Sequence, residues 1–355
     1  MILLGIETSC DETSAALLEV DQKSKTITSL LSQTTATSLS LHAKTGGIIP
    51  EIAARAQLAY MLPVLEETFA KGLKYKINRS TPPPIDAICV TYGPGLIGSL
   101  LVGVETARTL SYLWNIPLIP VNHLYGHIYA NWLPANLPVT DDLRSTTINF
   151  PAIALIVSGG HTDLLFMKSH TDIQVIGGAR DDAAGEAFDK IGRLLGFTYP
   201  AGPEIEKRAT LGDPKTIRFP RPLIGENTYD FSFSGLKTAV YRHVQTIEHL
   251  DNETINNLCA SVQEAIIDVL IKKTLKAAQE YQVKAILLGG GVAANGALTN
   301  QLHLHAKRLM LNVEMFVPQK SLCTDNAAMI AAAGFFQNQQ MPWQEITPNP
   351  ELYFL

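Results

Sequence analysis

"MILLGIETSCDETSAALLEV", residues 1–20, sets an apolar run, a small polar turn and a second apolar run in direct succession. Apolar runs of this length, bounded by Ser, Thr and Asp, read as two strands joined by a turn. Residues 152–167, "AIALIVSGGHTDLLFM", repeat the arrangement about 150 residues later in different letters. The pattern implies one architectural unit used twice. The expected fold is therefore α/β, with two similar lobes and a central cleft.

The stretches around the two units alternate helix and strand, as an α/β domain requires. Residues 51–73 and 96–115 have helical periodicity, and "IDAICVTYG" (85–93) and "IPLIPVN" (116–122) read as strands. In the second half a long helix (253–281), a strand into a Gly turn (283–291) and a last helix (326–337) repeat the logic. Residues 133–149 are rich in Pro and Asp and read as a connector. The expected division is a lobe at 1–132, the connector, and a lobe at 150–355.

Three glycine-rich turns invite a phosphate reading. "GPGLIG" (93–98) matches the dinucleotide fingerprint, but the next strand ends in Val121, Asn122 and His123 instead of the required acid. A tight strand-to-helix turn is the better reading. "VSGGH" (157–161) and "GGGVAAN" (289–295) each close an apolar strand, where exposed backbone N–H groups cradle anions. The chain has no P-loop motif.

"NHLYGHIYAN" (122–131) places His123 and His127 four apart, on one face of a helix. Such a pair serves equally as two core histidines or as two metal ligands. A zinc peptidase needs Glu directly after the first His, and Leu124 stands there. Asp325 in "CTDNAAM", where a loop enters a helix, offers a third ligand or a helix N-cap. A His₂Asp set with open positions suits iron or zinc.

The chain resembles the TsaD/Gcp family of tRNA threonylcarbamoyladenosine transferases. The resemblance is carried by "GIETSCDETSAA", "GGIIPEIAARA", "DAICVTYGPGLIGSLLVG", "VNHLYGHIYA", "VSGGHTDL", "GEAFDKIGRLLG", "FSFSGLKTA", "LLGGGVAAN" and "CTDNAAMIA", in the family's order across residues 5–333. It implies an actin-like ATPase fold of the sugar kinase and heat-shock ATPase type. It implies transfer of threonylcarbamoyl from threonylcarbamoyl-AMP to N6 of adenosine 37 in tRNAs that read codons beginning with adenine, with release of AMP. By position, His123, His127 and Asp325 match the metal ligands, one divalent ion with Fe2+ favoured over Zn2+. Ile156, Val157, Ser158, Gly159 and Gly160 match a substrate loop, and Asp189, Gly202, Glu206 and Asn295 match residues that hold the adenylate. Asp11 and Glu12 line the first turn, where a carboxylate can take a proton from the attacking amine. The chain departs from the family's usual His at Gln57, its Gly at Ala201 and its Arg at Thr299. The implied partners are TsaB and TsaE, because the compact form without a fused kinase fits a bacterial-type member.

Two other readings use the same turns: a phosphotransferase or ATPase, and a non-catalytic nucleotide-binding subunit. With 355 residues and a net charge of −5, the chain lacks the basic character of an unspecific nucleic-acid binder. A tRNA then needs a local patch, such as Lys71, Lys74, Lys76 and Arg79, or a partner's surface. Cysteines 10, 89, 259 and 323 form no CxxC pair, and the N-terminus lacks a basic leader. No stretch reads as membrane-spanning, and a reducing cytoplasm is the expected setting.

Overall fold

Strands β1 (Ile2–Glu7) and β2 (Glu12–Asp21) pair antiparallel across the first polar turn, with Gly5 opposite Ala16 and Ile6 opposite Ala15. β2 continues antiparallel to β3 (Thr26–Thr37). On the other side β1 runs parallel to β4 (Ala87–Gly93), and β4 parallel to β5 (Leu118–Asn122), giving the order β3-β2-β1-β4-β5. The computed structural model describes residues 1–42, 47–78, 81–134 and 148–354. Residues 135–147, most of the expected connector, lie outside these, as does Arg79.

The second sheet repeats the first. β6 (Ala152–Val157) pairs antiparallel with β7 (Thr162–Met167), and β7 with β8 (Ile173–Gly178). β9 (Ala285–Gly289) lies parallel to β6, and β10 (Glu314–Phe316) parallel to β9, in the order β10-β9-β6-β7-β8. Strand for strand, in order and direction, β6 to β10 retrace β1 to β5. The repeat expected from residues 1–20 and 152–167 is therefore a repeat of whole sheets.

Alternation along β1 explains how its two faces are covered. Leu4 and Ile6 enter a core with Leu17, Leu65, Phe69 and Val104, built with the helices Pro50–Leu73 and Ile97–Trp114. Gly5 looks the opposite way, onto the helix Ala327–Gln337, so close that a Cβ would overlap the Ala327 carbonyl oxygen. That helix, "AAMIAAAGFFQ", is nearly all small residues on its sheet side, which permits the approach.

The chain divides into two compact units, Met1–Thr147 with Gln319–Leu355, and Ile148–Pro318. The expected second lobe, 150–355, differs at its end. Residues from Gln319 onward belong to the first unit, because the alanine face of Ala327–Gln337 finds its seat on β1. Among the described residues no helix is long and apolar enough to cross a membrane.

Candidate metal centre and substrate turns

Asn122 ends β5 and caps the short helix His123–Tyr129, its Oδ1 accepting from the Leu124 N–H at 2.8 Å. The cap fixes where the helix starts, and so where His123 and His127 point. Both are buried, with ring centroids 4.7 Å apart. Asp325 Oδ1 lies 3.5 Å from His123 Nε2 and 3.4 Å from His127 Nε2. One ligand atom from each of the three falls within 4.8 Å of the others. The N-cap of Ala327–Gln337 is Asn326, which accepts from Met329 N–H. Asp325 is thereby relieved of the capping role and faces the histidines.

Whether these residues fit a cation is decided by His127. It is 1% exposed, its Nδ1 has no hydrogen-bond partner among the described residues, and its Nε2 meets only the Asp325 carboxylate, at 3.4 Å. An imidazole buried this way is costly unless something takes its lone pair. His123 shows the complementary arrangement. Its Nδ1 donates to Glu7 Oε2 at 3.1 Å, which turns Nε2 toward Asp325 and His127. Burial pulls the His123 pKa down, but the carboxylates of Glu7 and Asp325 more than offset it, to about 9. Burial opposes ionisation of Asp325 too, yet the neighbouring imidazoles hold its carboxyl well below the usual range. The donor set therefore fits a divalent ion.

Glu7 was not singled out in the sequence. It closes β1 completely buried, takes the Ser9 N–H and the Thr91 hydroxyl, and orients His123. Its only signal was an acid at the end of an apolar strand. Glu7→Gln keeps the size and an acceptor but removes the charge behind His123. Metal affinity should fall about tenfold or more, read by competition with a chelator; an unchanged affinity would exclude an orienting role.

The first turn lies beside the three ligands, with Ser9 Oγ 3.5 Å from Asp325 Oδ2. Gln57, also buried, holds the turn from behind. Its Nε2 lies 2.9 Å from both the Cys10 and Glu12 carbonyl oxygens and 3.4 Å from that of Thr8. An amide in place of the family's His therefore works here as a donor to backbone. Burial and the charges of Asp325 and Asp11 push the Glu12 carboxyl up to about 10. A shift in that direction disfavours the base role expected of Glu12. Asp11, buried in the same turn, is the other candidate.

The residues expected to bind substrate lie in the second unit, around the carboxyl ends of the adjacent parallel strands β6 and β9, a usual place for ligands in such sheets. Ile156 and Val157 are buried in β6. Ser158 turns the chain, its Oγ accepting from His161 N–H at 3.1 Å. Gly159, Gly160 and Gly291 have no neighbour within 4 Å of where a Cβ would stand, so their backbone faces open space. Gly290 is different, since a Cβ there would overlap the Val157 carbonyl. Asp189 Oδ1 accepts from Ala201 N–H at 2.7 Å, at the start of the helix Gly202–Ala209. A Cβ on Gly202 would likewise meet little, with only Phe188 Cβ at 3.9 Å. Glu206 Oε1 accepts from Gly296 N–H at 2.8 Å, while Asn295 caps the helix Gly296–Arg308 and donates to Gln263 Oε1 at 2.8 Å.

The remaining sequence features have packing explanations. In "GPGLIG" a Cβ on Gly93 would overlap the Asn349 carbonyl oxygen, one on Gly95 would sit 2.6 Å from the Ser9 carbonyl, and one on Gly98 would sit 3.1 Å from Ala54 Cβ. No nucleotide is needed to account for these glycines. The extra methyl of Ala201 occupies the space that Gly192 leaves free, so it does not crowd the turn. Thr299 bonds its own helix, Oγ1 to the Gly296 carbonyl. Lys71, Lys74 and Lys76 are exposed, with Lys71 paired to Glu67.

The sequence profile of the TsaD family, described as tRNA N6-adenosine threonylcarbamoyltransferase, matches residues 29–332. A tRNA N6-adenosine threonylcarbamoyltransferase of Symbiobacterium thermophilum is 45% identical over 94% of this chain and 91% of its own. That of Bacillus subtilis is 47% identical over 94% of this chain and 90% of its own. Among solved structures, T. kodakarensis HypF matches 95% of this chain with a TM-score of 0.57 at 15% identity. The match spans 47% of the HypF chain and bears on the fold alone. With a profile across most of its length and relatives at this identity, the chain belongs to the TsaD family of tRNA N6-adenosine threonylcarbamoyltransferases.

Proposed function

We propose that this chain transfers a threonylcarbamoyl group from threonylcarbamoyl-AMP to N6 of adenosine 37 in tRNAs reading codons that begin with adenine. The observation that carries the proposal is the His123, His127 and Asp325 set beside the carboxylate-lined first turn, in a chain of this family. The adenosine amine attacks the carbamoyl carbon, a C–N bond forms, and the C–O bond to phosphate breaks with its electron pair leaving on AMP. The amine proton passes to a carboxylate, for which Asp11 is placed in the first turn. Gly159, Gly160 and Gly291 leave open space for the phosphate, with Asp189, Gly202, Glu206 and Asn295 around the adenylate's nucleoside. His123, His127 and Asp325 hold a divalent ion, Fe2+ favoured over Zn2+ for a His₂Asp set. When bound, such an ion supplies positive charge to a phosphate or carbonyl oxygen.

The test is reconstitution with threonylcarbamoyl-AMP and unmodified tRNA. Appearance of AMP with modified adenosine 37 supports the reading. ADP made from ATP and a small acceptor, with unmodified tRNA, overturns it in favour of a phosphotransferase.

The protein works in the cytoplasm on this reading, with TsaB and TsaE as partners. Support for a protein partner comes from two helices that meet where Gly98 faces Ala54. Leu58 and Leu62 on Pro50–Leu73 are 71% and 62% exposed, and Ile97 and Leu101 on Ile97–Trp114 are exposed as well. Apolar stripes of this kind mark association surfaces. The double variant Leu58→Asp, Leu62→Asp should keep its thermal midpoint and bind TsaB roughly tenfold or more weakly. Co-elution at wild-type affinity would move the partner surface elsewhere.

A further inference from the structure

The helix that carries His123 and His127 is tied at its first residue to residues near the far end of the sequence. Asn122 uses its Oδ1 for the cap, and its Nδ2 donates to the Tyr353 carbonyl at 3.0 Å. One turn on, the Tyr125 ring meets the Phe354 ring edge-on at 5.3 Å. The same segment is fastened to the strand ends beside the helix. Asn349 N–H donates to the Tyr92 carbonyl at 2.7 Å, and Gly95 N–H donates to the Pro350 carbonyl at 3.2 Å. Before it, Ile346 is buried in the core of the first unit, and within it Leu352 is buried. Gly93 is glycine where the Asn349 carbonyl leaves no room for a Cβ. A side chain is thus excluded from the "GPG" turn by a segment about 250 residues later in the sequence.

We propose that residues 349–354 are a positioning strap for the metal-binding helix, acting through Asn122, so that the geometry of His123 and His127 depends on this segment being seated. The physical reason is the length of the helix. His123–Tyr129 spans seven residues, too few to hold its own register. Its position is set by what packs on it, Met329 and Ile330 against Gly126, and by the Asn122 cap at its start, whose amide has its partner at residue 353. Tyr353 supplies the partner as a backbone carbonyl, so the side chain at 353 matters less than the path of the chain.

The inference rests on His123, His127 and Asp325 binding a metal, and two readouts keep the two apart. One variant ends after Pro348, which retains the Ile346 anchor. A second, Asn122→Asp, retains an oxygen to cap Leu124 N–H but sets it against the Tyr353 carbonyl. Zn2+ is the probe, its dissociation followed by transfer to a chelator well below the thermal midpoint. Each variant should release Zn2+ about tenfold faster, and the two changes combined should do no more than either alone, since both break one link. Amide exchange in the metal-free protein should quicken across 123–129 and stay unchanged in β1 and β2. Wild-type Zn2+ release and wild-type exchange in both variants overturn the strap. Additive effects of the two changes overturn the link through Asn122. A wild-type protein that takes up no Zn2+ counts against the metal reading, and the strap then stands or falls on the exchange across 123–129.

Discussion

His127→Ala protein is expected to purify without its metal and to transfer threonylcarbamoyl about two to three orders of magnitude more slowly than wild type. The argument begins from burial. His127 is enclosed, its Nδ1 lacks a hydrogen-bond partner among the described residues, and its Nε2 meets only the Asp325 carboxylate, Oδ1 at 3.4 Å. Packing alone does not explain an imidazole in that state, since a Leu or Met would fill the space without the cost of burying polar nitrogens. Removing it leaves His123 and Asp325, too few ligands for a site of this type. Folding should survive, because the ring contributes no hydrogen bond to the helix or sheet. Metal content by atomic spectroscopy and single-turnover transfer are the measurements. A folded variant with full metal and full rate would end the metal assignment.

Gly5→Val should cost about 3 kcal/mol or more through overpacking. At about 2–4 °C per kcal/mol for a unit of this size, the thermal midpoint falls by roughly 6–12 °C. The new side chain would drive into the Ala327 backbone carbonyl and the Ala331 methyl, and a backbone atom cannot rotate away. Relief requires the helix Ala327–Gln337 to lift from β1. Asp325 lies two residues before that helix, so lifting it withdraws the third ligand from the histidines. The variant should therefore lose metal affinity as well as stability, although residue 5 is no ligand. Calorimetry and chelator competition on one sample test both halves. A variant that unfolds later than wild type, or loses stability with its metal affinity intact, contradicts the argument.

The repeat was legible because apolar run, small polar turn and apolar run follow from the period of a strand, whatever the letters. The candidate metal ligands were legible as types and spacing, but their competition with structural roles was not. Asp325 and Asn326 are both good caps, and only the helix start shows that Asn326 takes the position and Asp325 the site. Glu7 was hidden because its neighbours Thr91 and His123 are distant in sequence. The edge strands β3 and β8 were missed for another reason. "TITSLLSQTTAT" and "IQVIGG" are half-exposed and carry too little apolar alternation to stand out. Gln57 and Ala201 depart from the residues usual in the family. Their neighbours, three turn carbonyls and Gly192, show local fits that no single position reveals.

The first unit is discontinuous in sequence, and this sets an order of events during synthesis. A chain emerges from the ribosome N-terminus first, and units fold as they become complete. Residues Ile148–Pro318 contain every strand of the second sheet, so that unit is whole before the first can be. Until Ala327–Gln337 emerges, the Gly5 side of β1 has no cover, and a nascent chain carries an open apolar face through the synthesis of about half its length. His123 and His127 are made early and Asp325 late. The ligand set is therefore completed only after the whole second unit has been made, and a chain stalled before residue 325 has two histidines and no site.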